Sequence, residues 1–144
     1  MKKIFKIFLI IIIVSLFKVS FSFANDTKIK IGLLVPLTGE NKNLGQSIIK
    51  STRMALNDIG TSKIEIYPKD TGLNPNKTLQ AAKELKSLGV RIFIGPVFFK
   101  SLIYLNEIDD VIFLSLTNKI TDIPENVVSG GVNSLSQINT IKKF

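Results

Sequence analysis

Short apolar runs alternate with longer stretches of helical periodicity along the chain from Ile29 onward. Residues 29–35 form a nearly continuous apolar run, which is typical of a parallel strand covered on both faces. Residues 63–67 alternate polar and apolar side chains, which indicates a shorter strand nearer a sheet edge. Further apolar runs predict strands at 90–94, 111–116 and 126–129. The pattern therefore predicts about five strands.

The segments between these strands have the spacing of helices. The first predicted helix begins near Asn43, a candidate N-cap, and ends near Gly60, a candidate C-cap. The second begins at Asn74-Pro75, where Asn caps and Pro occupies the first helical position, and it ends at Gly89. The predicted buried faces are Ile48, Thr52, Ala55 and Ile59 in the first helix, and Thr78, Ala81, Ala82, Leu85 and Leu88 in the second.

Two more helices complete the pattern. The third spans roughly 98–107 and turns Leu102, Leu105 and Ile108 toward the core, and a last one carries Leu135, Ile138 and Ile141. Helices that alternate with strands, joined by right-handed crossovers, give an α/β fold, a doubly wound three-layer sandwich with a mostly parallel sheet. Such sheets bind ligands where the carboxyl ends of their strands enter loops. The loops after these strands are built from Pro, Gly, Thr, Asn and Asp, so a binding site is expected there.

Residues 1–24 are predicted to be a secretory signal peptide and not part of the domain. Met1-Lys2-Lys3 is a basic start, and residues 7–17 are apolar apart from Ser15. In Ser22-Phe23-Ala24, the first and third residues are small, as signal peptidase requires before its cleavage site. The alternative is an uncleaved membrane anchor, but Lys6 and Lys18 leave less than the roughly 20 apolar residues that a spanning helix needs. The protein is therefore expected in the periplasm, with residues 25–144 as one compact domain.

The charge does not indicate a nucleic-acid or membrane-surface partner. The whole chain has a net charge of +8, but four of its 19 basic residues lie in the signal segment, so residues 25–144 carry 15 basic and 11 acidic side chains, or +4. These charges alternate in sign along the chain and form no basic stripe, which nucleic-acid binding would need. The chain has no Cys, so it has no disulfide framework.

Enzymatic functions find little support in the sequence. The chain has no His and no Cys, which removes the usual general base and the thiol nucleophile, and its acidic residues lack metal-ligand spacing. Gly32 and Gly39 lack the spacing of a phosphate-binding loop. A Lys/Ser site or a paired-carboxylate site stays open. We expect a non-enzymatic protein without a cofactor or a metal.

The motifs, taken together, resemble type I periplasmic binding proteins of the leucine/isoleucine/valine-binding group. The resemblance covers about residues 28–144 and is carried by residues 30–39, Leu44-Gly45 and Ile94-Gly95-Pro96. Within that group, the chain is most similar to penicillin-binding protein activators, through the combination of Leu44-Gly45-Gln46, Asp70-Thr71-Gly72, Asn74-Pro75 and Gly95-Pro96-Val97-Phe98. The family has two lobes joined by a hinge. The resemblance implies that residues 25–144 are the N-terminal lobe, with the second lobe absent, either as a fragment or as a lobe that has lost its partner.

The topology and the resemblance place the same candidate ligand-binding residues at three strand exits. These are Thr38, Gly39 and Glu40 after the first strand, Phe98, Phe99 and Ser101 after the third, and Ser115, Thr117 and Asn118 after the fourth. In the amino-acid receptors of the group that this chain resembles, the segment after the third strand is rich in Ser and Thr. Residues 97–101 here read Val-Phe-Phe-Lys-Ser. This departure argues against free amino acids as ligands and leaves Ser101 as the matching hydroxyl.

Structural alternatives exist for several of these residues. Thr38 and Gly39 also suit a simple turn, and one of Phe98 and Phe99 is expected in the core with the other in the cleft. Asp70 is expected to cap the following loop through its own backbone. Asp109-Asp110 is expected to face solvent in a connection between a helix and a strand.

Two functions follow from the resemblance. The first is a solute receptor for an uptake system, which binds a small polar, amino-acid-like solute and delivers it to a membrane permease complex. The second is an envelope interaction protein of the penicillin-binding protein activator type, whose partner is a peptidoglycan synthase.

Overall fold

A computed structural model describes residues 28–132 and 134–142 of the chain. The predicted signal peptide, residues 1–24, lies outside these residues. The strands are β1 (Ile29–Val35), β2 (Ile64–Asp70), β3 (Ile92–Ile94), β4 (Ile112–Ser115) and β5 (Val127–Ser129). The helices are α1 (Lys42–Ile59), α2 (Pro75–Ser87) and α3 (Ser134–Ile141), with 3₁₀ turns at Phe99–Leu102 and Leu105–Glu107. In the described part of the chain, no helix combines the length and the apolar character needed to cross a bilayer.

The five strands form one sheet in the order β2-β1-β3-β4-β5, and all neighbouring strands are parallel. This confirms the predicted α/β architecture and the edge position of β2. The chain moves from β1 outward to β2 and then back across β1 to β3. Because both crossovers are right-handed, α1 and α2 lie on opposite faces of the sheet.

The core lies on the α2 face of the sheet. Phe93 in β3 and Phe113 in β4 are fully buried, and their rings stack with centroids 4.8 Å apart at an interplanar angle of 24°. Leu85 from α2 packs into the same cluster. The predicted core residues Leu102, Leu105 and Ile108 are buried there as well.

The opposite face of β3, β4 and β5 is apolar and open. Ile92, Ile112, Leu114 and Val128 project from it and are each between 42% and 57% exposed, although their immediate neighbours Phe93, Phe113 and Val127 are buried. Helix α1 contacts β1 on this side, and α3 has no buried residue. Residues 28–132 and 134–142 thus cover the sheet on both faces at β1 and on one face at β4 and β5.

Helix α1 differs from its prediction in its start and its buried face. It begins two residues earlier than expected, with Asn41 at the N-cap, whereas Gly60 ends it in the left-handed conformation as predicted. Ile48 and Thr52 are half-buried, but Ala55 and Ile59 are exposed, so the predicted buried stripe is wrong in its second half. The inward face begins at Gly45, the one buried residue of the helix, and continues through the half-buried Leu56 and not through Ala55.

The second helix begins as predicted. Oδ1 of Asn74 accepts a hydrogen bond of 3.1 Å from the amide of Lys77, and Pro75 occupies the first turn. Leu88 was expected on the packing face but is 52% exposed, because it is the C-cap residue and lies past the last helical turn.

Five other elements differ from the sequence prediction, namely β2, the third helix, β3, β4 and β5. Strand β2 continues through Pro68 to Asp70, which an edge strand tolerates because one of its sides has no ladder partner. The predicted third helix is a pair of 3₁₀ turns. Strands β3, β4 and β5 are shorter than their apolar runs by one or two residues at their ends, as is common for element boundaries.

Candidate functional site

The carboxyl ends of the strands meet at one edge of the sheet, which we call the rim. Val35 pairs with Asp70, and Ile94 pairs with Leu33 on one side and with Leu114 on the other. Backbone hydrogen bonds join neighbouring exit loops: the Thr71 amide donates to Val35 (3.0 Å), and the Leu116 amide donates to the Pro96 carbonyl (3.1 Å).

The nine predicted ligand-binding residues divide into two groups at the rim. The exposed ones are Thr38, Gly39, Glu40, Phe98, Phe99 and Asn118, and the buried ones are Ser101, Ser115 and Thr117. Only the first group offers accessible side-chain surface to a solute.

Asp70, at the end of β2, connects the first two exit loops. Its Oδ1 accepts hydrogen bonds from the amides of Leu37 (2.7 Å) and Gly72 (2.9 Å). Its Oδ2 accepts from the Thr38 hydroxyl (2.7 Å) and from Nζ of Lys77 (2.6 Å), which lies in the first turn of α2. The predicted cap of its own loop is confirmed by the bond from Gly72. The same carboxylate also fixes the loop after β1.

These donors hold Asp70 in its ionised form. Burial of the side chain, which is 18% exposed, would by itself raise the pKa of Asp70. The hydrogen bonds from Lys77, Leu37, Thr38 and Gly72 act in the opposite direction and together hold this pKa well below its ordinary value. At neutral pH, Asp70 is therefore a carboxylate that only accepts hydrogen bonds.

Ser115 fixes the exits of β3 and β4. Its hydroxyl donates to the carbonyl of Pro96 (2.9 Å), and its oxygen accepts from the amide of Thr117 (3.3 Å). The Ser129 hydroxyl donates to the carbonyl of Thr117 (2.7 Å). These contacts place the loop that carries Asn118 and Lys119 beside the loop after β3.

An aromatic and cationic surface lies on this side of the rim. Phe98 and Phe99 are 37% and 46% exposed, so the prediction that one of them lies in the core is wrong. Their loop leads directly into a short 3₁₀ turn, and the core below is filled by Leu102 and Leu105. The ammonium of Lys119 lies 5.2 Å from the centre of the Phe99 ring, within range of a cation–π interaction.

A groove of about 440 Å³ opens next to Phe99 and Lys119 and runs along the 3₁₀ turns. Leu102, Ile103 and Asn106 line one side, and Asp122 lines the other. Its lining combines apolar side chains with the polar groups of Asn106, Lys119 and Asp122. In the described residues, no group of three or more acidic side chains is arranged to hold a metal ion.

Sequence reasoning missed the bridging role of Asp70 and the involvement of Lys77 and Lys119. The Asp-Thr-Gly sequence after β2 indicated a local turn, but the partners on the loop after β1 lie more than 30 residues away. The (i, i+7) spacing of Asp70 and Lys77 crosses from a strand into a helix, so no helical periodicity marks it. No local sequence signal reveals such contacts.

Comparisons with known proteins agree with the parallel α/β fold. The family model described as periplasmic binding protein matches residues 28–137. No curated protein matches the chain. Among solved structures, full-length LpoA from Haemophilus influenzae is 25% identical with a TM-score of 0.59, and the match covers 77% of this chain and 21% of LpoA.

Two ABC transporter proteins from Rhodopseudomonas palustris are also similar. A solute-binding protein of an ABC transporter in complex with 3,4-dihydroxybenzoic acid is 25% identical with a TM-score of 0.59, over 64% of this chain and 27% of that protein. A branched-chain amino acid ABC-type transporter protein is 22% identical with a TM-score of 0.61, over 74% of this chain and 33% of that protein, and this match shows the fold alone. The chain thus spans between a fifth and a third of the solved structures named here.

Proposed function

The chain belongs to the periplasmic binding protein family, and from this premise we propose that it is the ligand-binding lobe of a solute receptor for an uptake system. The observation that carries the proposal is the exposed set at the rim, made of Thr38, Phe98, Phe99 and Asn118, on loops that Asp70 and Ser115 hold in place. The solute would be small and polar, and a membrane permease complex would receive it. Export to the periplasm through residues 1–24 is part of this proposal.

The rim has the chemistry that such a solute needs. Phe98 and Phe99 offer apolar surface, Lys119 offers a positive charge beside them, and Thr38 and Asn118 offer polar atoms on the neighbouring loops. A positively charged group beside exposed aromatic rings suits a solute that has a carboxylate and an apolar part. The solved relative that binds a dihydroxybenzoic acid supports the same class.

The experiment is an NMR titration of the isotopically labelled protein, expressed as the full chain and purified after export. The probes are L-leucine, L-valine and 4-hydroxybenzoate. We expect saturable shifts at the amides of Thr38, Gly39, Phe98, Phe99 and Asn118, with a Kd on the order of 1 mM, because a single lobe encloses only part of a solute. Shifts confined to the amino ends of the strands, or no shifts with any probe, would contradict the proposal.

A matched pair of variants tests the location. Phe98→Ala should abolish the shifts, whereas Tyr104→Ala should leave them unchanged. Phe98 and Tyr104 are exposed aromatic residues of nearly equal accessibility, 37% and 38%, but Tyr104 lies between the two 3₁₀ turns and away from the strand exits. Equal loss of binding in both variants would point to a site along the 3₁₀ turns and not at the rim.

One observation favours a second function, an envelope interaction protein of the activator type. LpoA matches at 25% identity over 77% of this chain, whereas the two transporter proteins match at 25% over 64% and at 22% over 74%. The exposed Phe98 and Phe99, in place of ligand-binding hydroxyls, also suit contact with a protein partner. The test is retention of fluorescent-penicillin-labelled synthases from an envelope extract on the immobilised protein. Retention that Phe98→Ala abolishes, together with no solute-induced shifts, would support this second function over the first.

A further inference from the structure

The most specific chemical feature of the rim is the direction of the hydrogen bond between Thr38 and Asp70. The Thr38 hydroxyl and Oδ2 of Asp70 are 2.7 Å apart, and Asp70 also accepts three other hydrogen bonds. Since an ionised carboxylate has no hydrogen to give, the hydrogen in this contact comes from Thr38. The hydroxyl group of Thr38 has a single hydrogen, and it is committed to Asp70.

What remains available on Thr38 is acceptor capacity. A hydroxyl oxygen has two lone pairs, and Thr38 is exposed at the rim, so its oxygen faces solvent as an acceptor. A solute carboxylate or ketone is itself an acceptor, so it could form no hydrogen bond with the Thr38 oxygen in place of those it had with water. A solute ammonium, hydroxyl or amide N–H would instead find a partner.

We infer that Asp70 is a specificity-determining residue, which fixes Thr38 as a hydrogen-bond acceptor and thereby selects solutes that present a hydrogen-bond donor at the exit of β1. The inference rests on the proposed function, because it assumes that a solute reaches Thr38. It goes further by assigning the chemistry of one end of the solute.

The substitution Asp70→Asn is the direct test, because it reverses the polarity with little change in shape. The amide oxygen of Asn can still accept from Leu37 and Gly72, which keeps the loops joined. Its amide nitrogen would face Thr38 and donate, so the Thr38 hydrogen would turn toward the solute. The side chain of Lys77, which is 48% exposed, can rotate away from position 70 toward the solvent.

The probes are L-leucine and 4-methyl-2-oxopentanoate, which have the same carbon skeleton. L-leucine has an ammonium donor at the position where the second compound has a ketone acceptor. We expect the wild-type protein to prefer L-leucine by a few-fold and at most about tenfold, the difference that one hydrogen bond makes, and Asp70→Asn to reverse that ratio. The affinities are measured by NMR titration.

Two control variants separate polarity from position. Lys77→Met removes a positive charge but leaves Asp70 as the acceptor, so any change in the ratio should favour L-leucine, in the direction opposite to the change in Asp70→Asn. Thr38→Val should reduce the ratio, and Thr38→Ser should restore it. A ratio that Asp70→Asn leaves unchanged, or that Lys77→Met shifts toward the ketone, would overturn the inference while leaving the proposed function intact.

A measurement without any solute tests the hydrogen-bond direction itself. The ¹³C resonance of the Asp70 carboxyl reports its titration, and loss of a donating hydroxyl in Thr38→Val should move the midpoint to higher pH. An unchanged midpoint would overturn the inference, whatever the solute. If the midpoint moves but neither probe binds, the proposed function fails for this solute class, and the specificity role of Asp70 fails with it.

Discussion

Gly45 lies directly against the carbonyl oxygen of Pro36, so close that a Cβ atom at position 45 would overlap this oxygen. Gly45 is the one buried residue of α1, and Pro36 is the first residue after β1. The first turn of the helix therefore packs directly against the loop that carries Thr38. The absence of a side chain at this position determines how close the helix lies to the rim.

Gly45→Ala should destabilise the fold, because the added methyl group meets backbone atoms that cannot move independently. We expect a loss of about 1–3 kcal/mol in the free energy of unfolding, the usual range for overpacking. Urea denaturation followed by circular dichroism measures it. Gly130→Ala is the matched control, because its Cβ would make ordinary contacts of 3.4 Å with Leu114 and Ser115. Equal losses in both variants would show that the Pro36 contact is not responsible.

The hydrogen bonds of Asp70 predict a pH dependence of stability. The pKa of Asp70 is lowered in the folded protein relative to its value of 3.8 in the unfolded chain, so the contribution of the carboxylate is fully present above about pH 3.8. It is lost as the pH falls toward the lower folded-state pKa, where folded and unfolded forms bind the same number of protons. The wild-type protein should therefore lose more stability between pH 5 and pH 2 than Asp70→Asn does.

Urea midpoints measured at several pH values for both proteins give this difference. Asp58→Asn, an exposed position in α1, should follow the wild-type curve. Parallel curves for the wild type and Asp70→Asn would contradict the structure.

Asn126 joins β5 to the second 3₁₀ turn through its amide nitrogen, which donates to the carbonyls of Leu105 and Ile108 at 2.9 Å each. Asn126→Asp replaces both donors with a carboxylate that faces two carbonyl oxygens. We expect a loss on the order of 3 kcal/mol at pH 7, because two carbonyl oxygens lose their hydrogen-bond donor and face a negative charge instead. Thermal denaturation measures it, with the exposed Asn118→Asp as control. A loss no greater than in the control would contradict these hydrogen bonds.

Truncation of two neighbouring residues of β4 should change the free energy of unfolding by very different amounts, since the two residues lie on opposite faces of the sheet. Phe113 is fully buried and stacked on Phe93, so Phe113→Ala should cost about 3–5 kcal/mol. Ile112 is 57% exposed on the open face, so Ile112→Ala should change stability by less than about 1 kcal/mol.

Ile112→Ala should also reduce the binding of the dye ANS, which detects exposed apolar surface. Urea unfolding and ANS fluorescence check the two effects separately. A large loss of stability in Ile112→Ala would mean that the face is covered in solution.

The order and type of most elements could be predicted from the sequence, because they depend on local preferences. The apolar run of β1, the Asn74-Pro75 start of α2 and the Gly60 end of α1 each act within a few residues, and all three agree with the structure. The parallel α/β architecture follows from the alternation of these elements and from the hand of their crossovers. The common edge of the strand exits follows from the same rule.

The accessibility of the candidate residues and the contacts between the loops depend instead on tertiary packing. Phe98 and Phe99 have the apolar character of core residues, but Leu102 and Leu105 already fill the space below them, so both remain at the surface. Ala55 and Ile59 have helical spacing, but they are exposed and Leu56 is half-buried in their place. Burial depends on what lies opposite a residue, and that neighbour is distant in sequence.

The candidate site shows the same division. Thr38 could be named from the sequence because it follows a strand, but its role as an acceptor depends on Asp70, on another strand. The direction of a hydrogen bond is set by the protonation of both partners, and the protonation of Asp70 is set by donors from Leu37, Gly72 and Lys77. These groups become neighbours only when β1, β2 and α2 have packed together.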